Sequence, residues 1–260
     1  MNIMVMAGTK DAARIIKKLK STGNSNILAT TTTSYGADIA EAAGADKVIS
    51  KGLTEEELIE VIKAEEIDIL VDATHPFAAA ATRNAIKASE TVAIKYVRFE
   101  RPREVLNDNN LIHKVPSFEN AASKALEITK NQDNILHLAG VLTLKSILNE
   151  VDSSRVFARV LPSLDSIQKC LDLGLKQENI IAMQGVFSKE FNRALMEEYK
   201  ISLIITKESG ETGGTRTKID AALELGIDVV LVKRPAVSEL ENKDTFTDLD
   251  EMISFILKSL

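Results

Sequence analysis

The chain has 260 residues and a formal charge of −6, from 32 Lys and Arg against 38 Asp and Glu. With 45% hydrophobic and 27% charged residues it is an ordinary globular protein of one large or two medium domains, which excludes disorder, collagen and coiled coil. The mild acidity argues against a nucleic-acid partner or an anionic membrane surface, and no apolar run approaches the roughly 20 residues that span a bilayer.

Short apolar runs alternate with amphipathic helical patterns from the first residue onward, which predicts parallel strands joined by crossover helices. Thr54 and Glu57 have the spacing of a capping box, which predicts a helix start. The strands predicted up to residue 131 are 2–6, 27–33, 48–49, 67–72, 92–98 and 111–115. The helices predicted there are 10–20, 37–43, 54–65, one that ends at residue 89, and 118–130.

The polar cluster NQDN at residues 131–134 interrupts both periodicities with turn-forming residues and predicts a linker. The sequence therefore predicts an N-terminal cofactor-binding lobe, 1–131, and a C-terminal substrate-binding lobe, 132–260. The strands predicted after the linker are 135–139, 155–161, 180–183, 201–206 and 229–232. The helices predicted there are 142–148, 164–173, 189–199, 215–225 and 249–257.

The two halves share a faint internal repeat. The pair TR at 82–83 matches TR at 215–216, and RP at 101–102 matches RP at 234–235, both at an offset of 133 residues. Chance similarity between two strand-helix-strand units is the competing explanation. The repeat favours an α/β fold of two similar doubly wound lobes, Rossmann-like or flavodoxin-like, with parallel sheets and a cleft between them.

The first strand runs straight into Ala7, Gly8, Thr9 and Lys10 and then a helix, which is where doubly wound folds bind phosphate through helix N-terminal amides. The full G-x-G-x-x-G pattern is absent, and an Ala-Gly turn also serves as a plain tight connection.

The second strand ends in a hydroxyl run and has no acidic residue there. Hydroxyl groups can donate hydrogen bonds to a 2′-phosphate without the repulsion of a carboxylate, which favours NADP, while a threonine run is also simply a good strand. No Arg or Lys follows directly, so NADH stays possible. The residues of the run are Thr32, Thr33, Ser34 and Tyr35.

The segment DATHPFA follows a buried strand and combines Asp72, Thr74, His75 and Pro76 at a strand end, where such folds place ligands. His75 either donates a proton or hydrogen bond to a substrate or caps the following helix. The other two histidines lie in strand-like runs, and the scattered His and Cys residues show no metal-ligand spacing, so we expect no metal site.

The corresponding loop of the second half holds three glycines and several hydroxyls before a helix, and it can wrap an anion or form a flexible turn. Its candidate residues are Lys207, Glu208, Ser209, Gly213, Gly214 and Arg216. Arg98 and Arg101 follow the fifth strand and either bind substrate carboxylates or belong to a solvated face.

The segments MAGTKDAARI, TTTSYGAD, VDATHPFA, VRFERP and TKESGETGG, with the later LGIDVVLVKRP, resemble the precorrin-6A reductase family of cobalamin biosynthesis over nearly the whole chain. The resemblance implies that hydride from NADPH and a proton reduce one C=C bond of a tetrapyrrole held between the lobes. Cobalt-precorrin-6A is the favoured substrate and precorrin-6A the alternative.

The resemblance also implies residue roles. Gly8 and Thr9 would hold the pyrophosphate, residues 32–35 would lie near the cofactor, and residues 74–76 would border the nicotinamide. Residues 207–209, 213 and 214 would line the substrate side. His75 is the candidate proton donor, with solvent water as the competitor, and the cleft should be locally positive.

Two other functions stay open: a dinucleotide-dependent reductase or epimerase of another substrate, and a non-catalytic two-lobed ligand-binding regulator. The one cysteine, Cys170, excludes an internal disulfide, and no leader-like N-terminal pattern is present, so we expect a cytoplasmic protein. The sequence does not determine the oligomeric state.

Overall fold

A computed structural model describes residues 1–23, 25–103, 105–210 and 213–259. The chain forms two compact units, Met1–Pro102 with Ala236–Leu260, called unit 1, and Arg103–Pro235, called unit 2. Each unit has a sheet of six strands, and all the strand pairs are parallel. The predicted fold class, α/β with two similar doubly wound lobes, is confirmed in these features.

Unit 1 contains strands β1–β5 and β12 and helices α1–α4 and α10. The strands are β1 (Asn2–Met6), β2 (Asn26–Thr31), β3 (Lys47–Ser50), β4 (Ile69–Asp72), β5 (Lys95–Phe99) and β12 (Asp244–Phe246). The helices are α1 (Lys10–Ser21), α2 (Ser34–Ala42), α3 (Glu55–Ala64), α4 (Ala79–Val92) and α10 (Leu249–Lys258). The predicted capping box starts α3: Thr54 accepts from the Glu57 amide, and the Glu57 side chain accepts from the Thr54 amide.

Unit 2 contains strands β6–β11 and helices α5–α9. The strands are β6 (Ile112–Val115), β7 (Asn134–His137), β8 (Val156–Val160), β9 (Ile180–Ala182), β10 (Ile201–Lys207) and β11 (Asp228–Val232). The helices are α5 (Phe118–Ile128), α6 (Leu144–Leu148), α7 (Leu164–Asp172), α8 (Lys189–Glu198) and α9 (Thr215–Glu224).

The two sheets share the order of five strands and differ in where the sixth strand comes from. Sheet 1 runs β3-β2-β1-β4-β5-β12, and sheet 2 runs β9-β8-β7-β10-β11-β6. Sheet 1 has the 3-2-1-4-5-6 order of a dinucleotide-binding doubly wound fold, in which ligands bind outside the carboxyl ends of the strands where the order reverses. In sheet 2 the sixth position is held by β6, which precedes the other strands of unit 2 in the chain. The reversal lies between β1 and β4 in unit 1 and between β7 and β10 in unit 2.

The predicted boundary at residue 131 is wrong. The strand β6 pairs with β11 and so belongs to unit 2, whereas β12, which the sequence did not predict, pairs with β5 of unit 1. The chain passes between the units after Pro102 and after Pro235, the two ends of the repeated RP pair. Short edge strands have little hydrophobic periodicity in their sequence, and long-range pairing determines which sheet they join.

The central strands of unit 1 are buried on both faces, as expected when helices cover a parallel sheet. Ile3 and Val5 of β1 pack into the layer of α1 and α10, while Met4 and Leu70 pack into the layer of α3 and α4. In the described part of the chain, no helix is long and apolar enough to cross a membrane.

Candidate active site

The turn between β1 and α1 is open at its glycine. Gly8 has a φ of +100°, which favours glycine, and a Cβ placed there would meet no atom within 4 Å. Thr9 is the N-cap of α1 and accepts a hydrogen bond from the Ala12 amide at 3.0 Å. Lys10, the first residue of the helix, is exposed. The turn therefore presents helix N-terminal amides beside an open space, as an anion site requires.

Thr9 also connects the two loops at the reversal point of sheet 1. Its hydroxyl donates to the Ala73 carbonyl at 2.9 Å, across from β1 to the loop that follows β4. The predicted phosphate turn and the predicted DATHP segment are thus brought together by a direct hydrogen bond.

The hydroxyl run after β2 is accessible at the same edge of sheet 1. Thr33 is the N-cap of α2 and accepts from the Gly36 amide at 3.1 Å, while its carbonyl accepts from the Thr31 hydroxyl. The side chains exposed there are Thr32, Thr33, Ser34 and Tyr35.

Asp72 ends β4 and is the centre of a buried hydrogen-bond network. Its carboxylate is 0% exposed and accepts from the amide and hydroxyl of Thr74 at 3.0 and 2.7 Å. It also accepts from the Tyr96 hydroxyl at 2.9 Å and from Arg98 at 2.7 Å. Asp72 is therefore saturated by protein donors, and it holds the loop at Thr74 in place.

Arg98 lies opposite Asp72 in the register of β5 against β4 and is 2% exposed. Besides Asp72, it donates to Thr74 at 3.0 Å and to Glu100 at 2.8 and 2.9 Å. Burial lowers the pKa of Arg98, but the charges of Asp72 and Glu100 outweigh this and raise it overall. Burial, reinforced by the Asp72 charge, raises the pKa of Tyr96 well above its usual range, so its hydroxyl stays a donor.

His75 is half-buried in the loop held by this network. Its Nδ1 accepts from the Phe77 amide at 3.1 Å, so the neutral ring carries its proton on Nε2. The helix α4 starts instead from Ala78, whose side chain makes no cap, so this contact does not cap α4 as the sequence allowed. Pro76, the next residue, is buried.

The three arginines predicted to lie on the substrate side each have a carboxylate partner in the protein. Arg98 pairs with Asp72 and Glu100 as described, Arg101 pairs with the buried Asp11 of α1 at 2.7 Å, and Arg216 lies 3.4 Å from Asp220 on the surface of α9. The geometry does not support the predicted substrate contact for Arg98, because its side chain is buried and its charge is neutralised.

The loop after β10 in unit 2 is packed against itself. Ser209 is buried and shares a 2.9 Å hydrogen bond with the Thr215 hydroxyl, and a Cβ on Gly213 would lie 2.2 Å from the Ser209 Oγ. Gly214, with a φ of +62°, is the N-cap of α9. Glu208 accepts from the Arg234 amide at 3.0 Å.

Lys207, the first residue of this loop, is partly exposed. Glu211 and Thr212 lie outside the described residues. The loop conformation is set by short side chains and glycines, as its composition predicts.

His137, one of the two histidines in strand-like runs of the sequence, ends β7 at the reversal point of sheet 2. It is fully buried, and its Nε2 contacts the Gly140 carbonyl at 3.1 Å and the Thr143 hydroxyl at 3.0 Å. Burial lowers the pKa of His137 to about 4. It is therefore a neutral histidine near neutral pH.

Sequence reasoning missed Tyr96 and Glu100 as members of the Asp72 network. A signal was present: Tyr96 and Arg98 alternate on one face of a strand whose neighbours are apolar, and a carboxylate ends the adjacent strand. Polar groups on a buried strand need partners, and two strands in parallel register bring those partners together.

Comparison with known proteins decides the family. The family described as "Precorrin-6x reductase CbiJ/CobK" matches residues 2–257. The chain belongs to this family. The precorrin-6x reductases are oxidoreductases, and their activity requires a nicotinamide cofactor. The open turn at Gly8 and the N-terminal amides of α1 are suited to bind the phosphates of such a cofactor.

Two relatives are nearly half identical to the chain over the matched residues, and each is named "Cobalt-precorrin-6A reductase". The protein of Methanothermobacter thermautotrophicus is 46% identical over 260 residues, covering 100% of this chain and 85% of the relative. The protein of Methanocaldococcus jannaschii is 45% identical over 256 residues, covering 98% of each. A solved structure named "CobK precorrin-6A reductase" matches with a TM-score of 0.78 at 21% identity, over 99% of this chain and 97% of that one, which supports the fold.

Proposed function

We propose that the chain reduces one C=C bond of the macrocycle of cobalt-precorrin-6A, with NADPH as the hydride source, to give cobalt-precorrin-6B. The name shared by the relatives supports the substrate. The observation that carries the site is the Thr9 hydrogen bond to Ala73, which joins an open phosphate-binding turn to the loop that holds His75. Precorrin-6A without cobalt is the alternative substrate.

The cofactor is assigned to the carboxyl edge of sheet 1. The amides at Gly8 and Thr9 would hold the pyrophosphate, because they open the 12-residue helix α1 and nothing fills the space beside Gly8. When bound, NADPH supplies the hydride. The protein binds and orients the reactants and excludes water from them.

The choice of NADPH over NADH is assigned to the exposed hydroxyl run at residues 32–35. A carboxylate at the end of the second strand is what selects the ribose 2′-hydroxyl of NAD, and Thr32 and Thr33 stand there instead. Their hydroxyls can donate to a 2′-phosphate without repelling it.

His75 is assigned as the donor of the proton that completes the reduction. The Phe77 amide holds Nδ1 as an acceptor, which leaves the proton on Nε2. The Asp72 network holds the adjacent Thr74 and so limits the positions of the ring. Solvent water is the competing donor, and orientation of the nicotinamide is the competing role for His75.

The loop at residues 207–216 is assigned to the substrate, with Lys207 as its cation. Because Ser209 is buried and bonded to Thr215, we expect Ser209 and the glycines at 213 and 214 to shape the backbone, and Glu208 to hold Arg234. Contacts to substrate then come from backbone amides and from Lys207.

The test uses a matched pair of glycines. Gly8 and Gly140 follow equivalent strands of the two sheets, both have a positive φ, and a Cβ on either would meet no atom within 4 Å. The backbone strain of an alanine is therefore similar at both. We expect Gly8→Ala to weaken NADPH binding by about tenfold or more and Gly140→Ala to leave it unchanged.

Turnover is measured anaerobically with NADPH and cobalt-precorrin-6A, following both chromophores. Loss of NADPH absorbance only when the tetrapyrrole is present supports the reductase, and His75→Ala should lower that turnover while NADPH affinity survives. Binding of both ligands without turnover would favour the ligand-binding regulator. Equal loss of NADPH affinity in both glycine variants would overturn the assignment of the cofactor to unit 1.

A further inference from the structure

Arg159, on β8 of unit 2, is a half-buried arginine without a carboxylate partner. Its Nη1 donates to the Asn192 Oδ1 at 2.9 Å, and its guanidinium lies 5.1 Å from the centre of the Phe187 ring. In the part of the chain that the structure describes, no acidic side chain forms an ion pair with it. Arg98, Arg101 and Arg216, by contrast, are all paired.

The side chains that contact Arg159 are themselves held in place by hydrogen bonds and ring stacking. Asn192 is 1% exposed, and its Nδ2 donates to the carbonyls of Phe187 and Ser188 at 3.3 and 2.7 Å. Both amide hydrogens are thereby used, and Oδ1 is fixed as the acceptor for Arg159. Phe187 stacks on Phe191 at 4.7 Å, which holds the ring below the guanidinium. The arginine is therefore preorganised by neutral partners.

The electrostatic consequence is a cation that lacks a counter-ion. Burial lowers the pKa of Arg159 to about 10, and no neighbouring charge opposes the shift. An arginine that keeps N–H donors for a ligand in such a place binds carboxylates strongly, because a planar guanidinium matches a carboxylate with two parallel hydrogen bonds.

The carboxyl edge of sheet 2 around Arg159 is unusually apolar. Large apolar side chains are exposed after three adjacent strands: Leu142 after β7, Leu161 and Leu164 after β8, and Val186 after β9. Leu142 and Leu164 are 85% and 89% exposed. An exposed apolar cluster at the carboxyl ends of parallel strands marks a ligand surface.

We propose that Arg159 anchors a carboxylate of a large apolar polyanion that lies on this edge of sheet 2. The proposal rests on the proposed function, whose tetrapyrrole substrate has this chemistry: an apolar macrocycle with acetate and propionate side chains. The exposed leucines and Val186 contact the ring, and Arg159 fixes its position by one peripheral carboxylate. Selection among tetrapyrroles then depends on the positions of their carboxylates around the ring.

The probe is uroporphyrin III, a stable tetrapyrrole that carries eight carboxylates, with coproporphyrin III, which carries four, as its comparison. Binding to the full chain is measured by quenching of porphyrin fluorescence. We expect Arg159→Gln to weaken uroporphyrin binding by about tenfold or more. Arg159→Lys should fall between this variant and the wild type, because it keeps the charge but loses the planar fork.

Arg193→Gln is the matched control, since Arg193 lies on the exposed side of the nearby helix α8 and only approaches Glu197 at 3.9 Å. It should bind uroporphyrin as the wild type does. Equal weakening in both variants would indicate general attraction of anions and would overturn the anchor. Circular dichroism and NADPH affinity, both unchanged, establish that the Arg159 variants are folded.

Turnover of cobalt-precorrin-6A separates this proposal from the proposed function. If Arg159→Gln binds uroporphyrin and turns over cobalt-precorrin-6A with wild-type Kd and KM, the anchor is refuted and the reductase stands. If the wild type has no reductase activity but binds uroporphyrin through Arg159, the proposed function is refuted and the anchor stands. Binding of an acidic peptide in place of both porphyrins would also refute it.

Discussion

Replacing Arg98 by methionine should destabilise unit 1 strongly, because it leaves a buried carboxylate without its cation. Glu100 is 25% exposed and can be solvated by water, whereas Asp72 is 0% exposed and keeps only the donors of Thr74 and Tyr96. Removing one partner of a buried ion pair costs about 3–5 kcal/mol. At roughly 3 °C for each kcal/mol, the melting temperature of unit 1 should fall by about 10–15 °C.

The assay is a thermal melt followed by circular dichroism, with hydrogen exchange of individual amides in native conditions. Exchange should accelerate in β4 and β5 of the Arg98→Met protein, while β7 and β10 serve as an internal reference in the other core. Adding Asp72→Asn should recover part of the loss, because an amide is cheaper to bury than an unpaired carboxylate. A loss below about 1 kcal/mol, or no recovery in the double variant, would refute the reasoning.

Three further predictions concern other parts of the chain. Thr32→Asp should raise the KM for NADPH about tenfold or more, since a carboxylate would repel the 2′-phosphate, and the neutral Thr32→Asn should not; equal effects would contradict the hydroxyl assignment. Burial lowers the pKa of His137 from its ordinary 6.5 to about 4, so between these values the unfolded chain binds a proton that the folded chain does not. The free energy of unfolding should therefore fall by up to roughly 3 kcal/mol as the pH drops through that window, and His137→Gln should flatten this slope in urea titrations. Gly213→Ala should lower the free energy of unfolding by about 1–3 kcal/mol, because its Cβ would meet the Ser209 Cβ at 2.6 Å; Ser209→Gly in the same chain should restore it, and failure to do so would place the strain elsewhere.

The repeated scaffold carries different groups at equivalent places in the two units. Both sheets reverse their order beside a glycine of positive φ, at Gly8 and at Gly140, yet the surrounding residues differ. The edge of sheet 1 exposes hydroxyls and the N-terminus of a 12-residue helix, whereas the edge of sheet 2 exposes leucines and has the half-buried Arg159. A fold of this kind supplies the position of a site, and the loops supply its chemistry.

Much of this protein follows from its sequence alone. The α/β class, the central strands and the helices between them follow from local periodicity, because the spacing of apolar residues indicates whether one or both faces of an element are buried. The glycine turn after β1, the hydroxyl run after β2 and the loop after β4 follow as well, since parallel strands bring their carboxyl ends to one edge. The family can also be recognised from the sequence, because each of its motifs is a short continuous segment.

Only the tertiary structure decided which groups meet. Tyr96 and Arg98, two of the partners of Asp72, lie 24 and 26 residues away from it in the sequence. The register of β4 against β5 turns a predicted substrate contact at Arg98 into a buried ion pair. The edge strands β6 and β12 join sheets that local pattern does not specify. Whether an arginine is paired, as Arg98 is, or lacks a carboxylate, as Arg159 does, depends on neighbours that are distant in sequence, and such long-range contacts have no periodic signature.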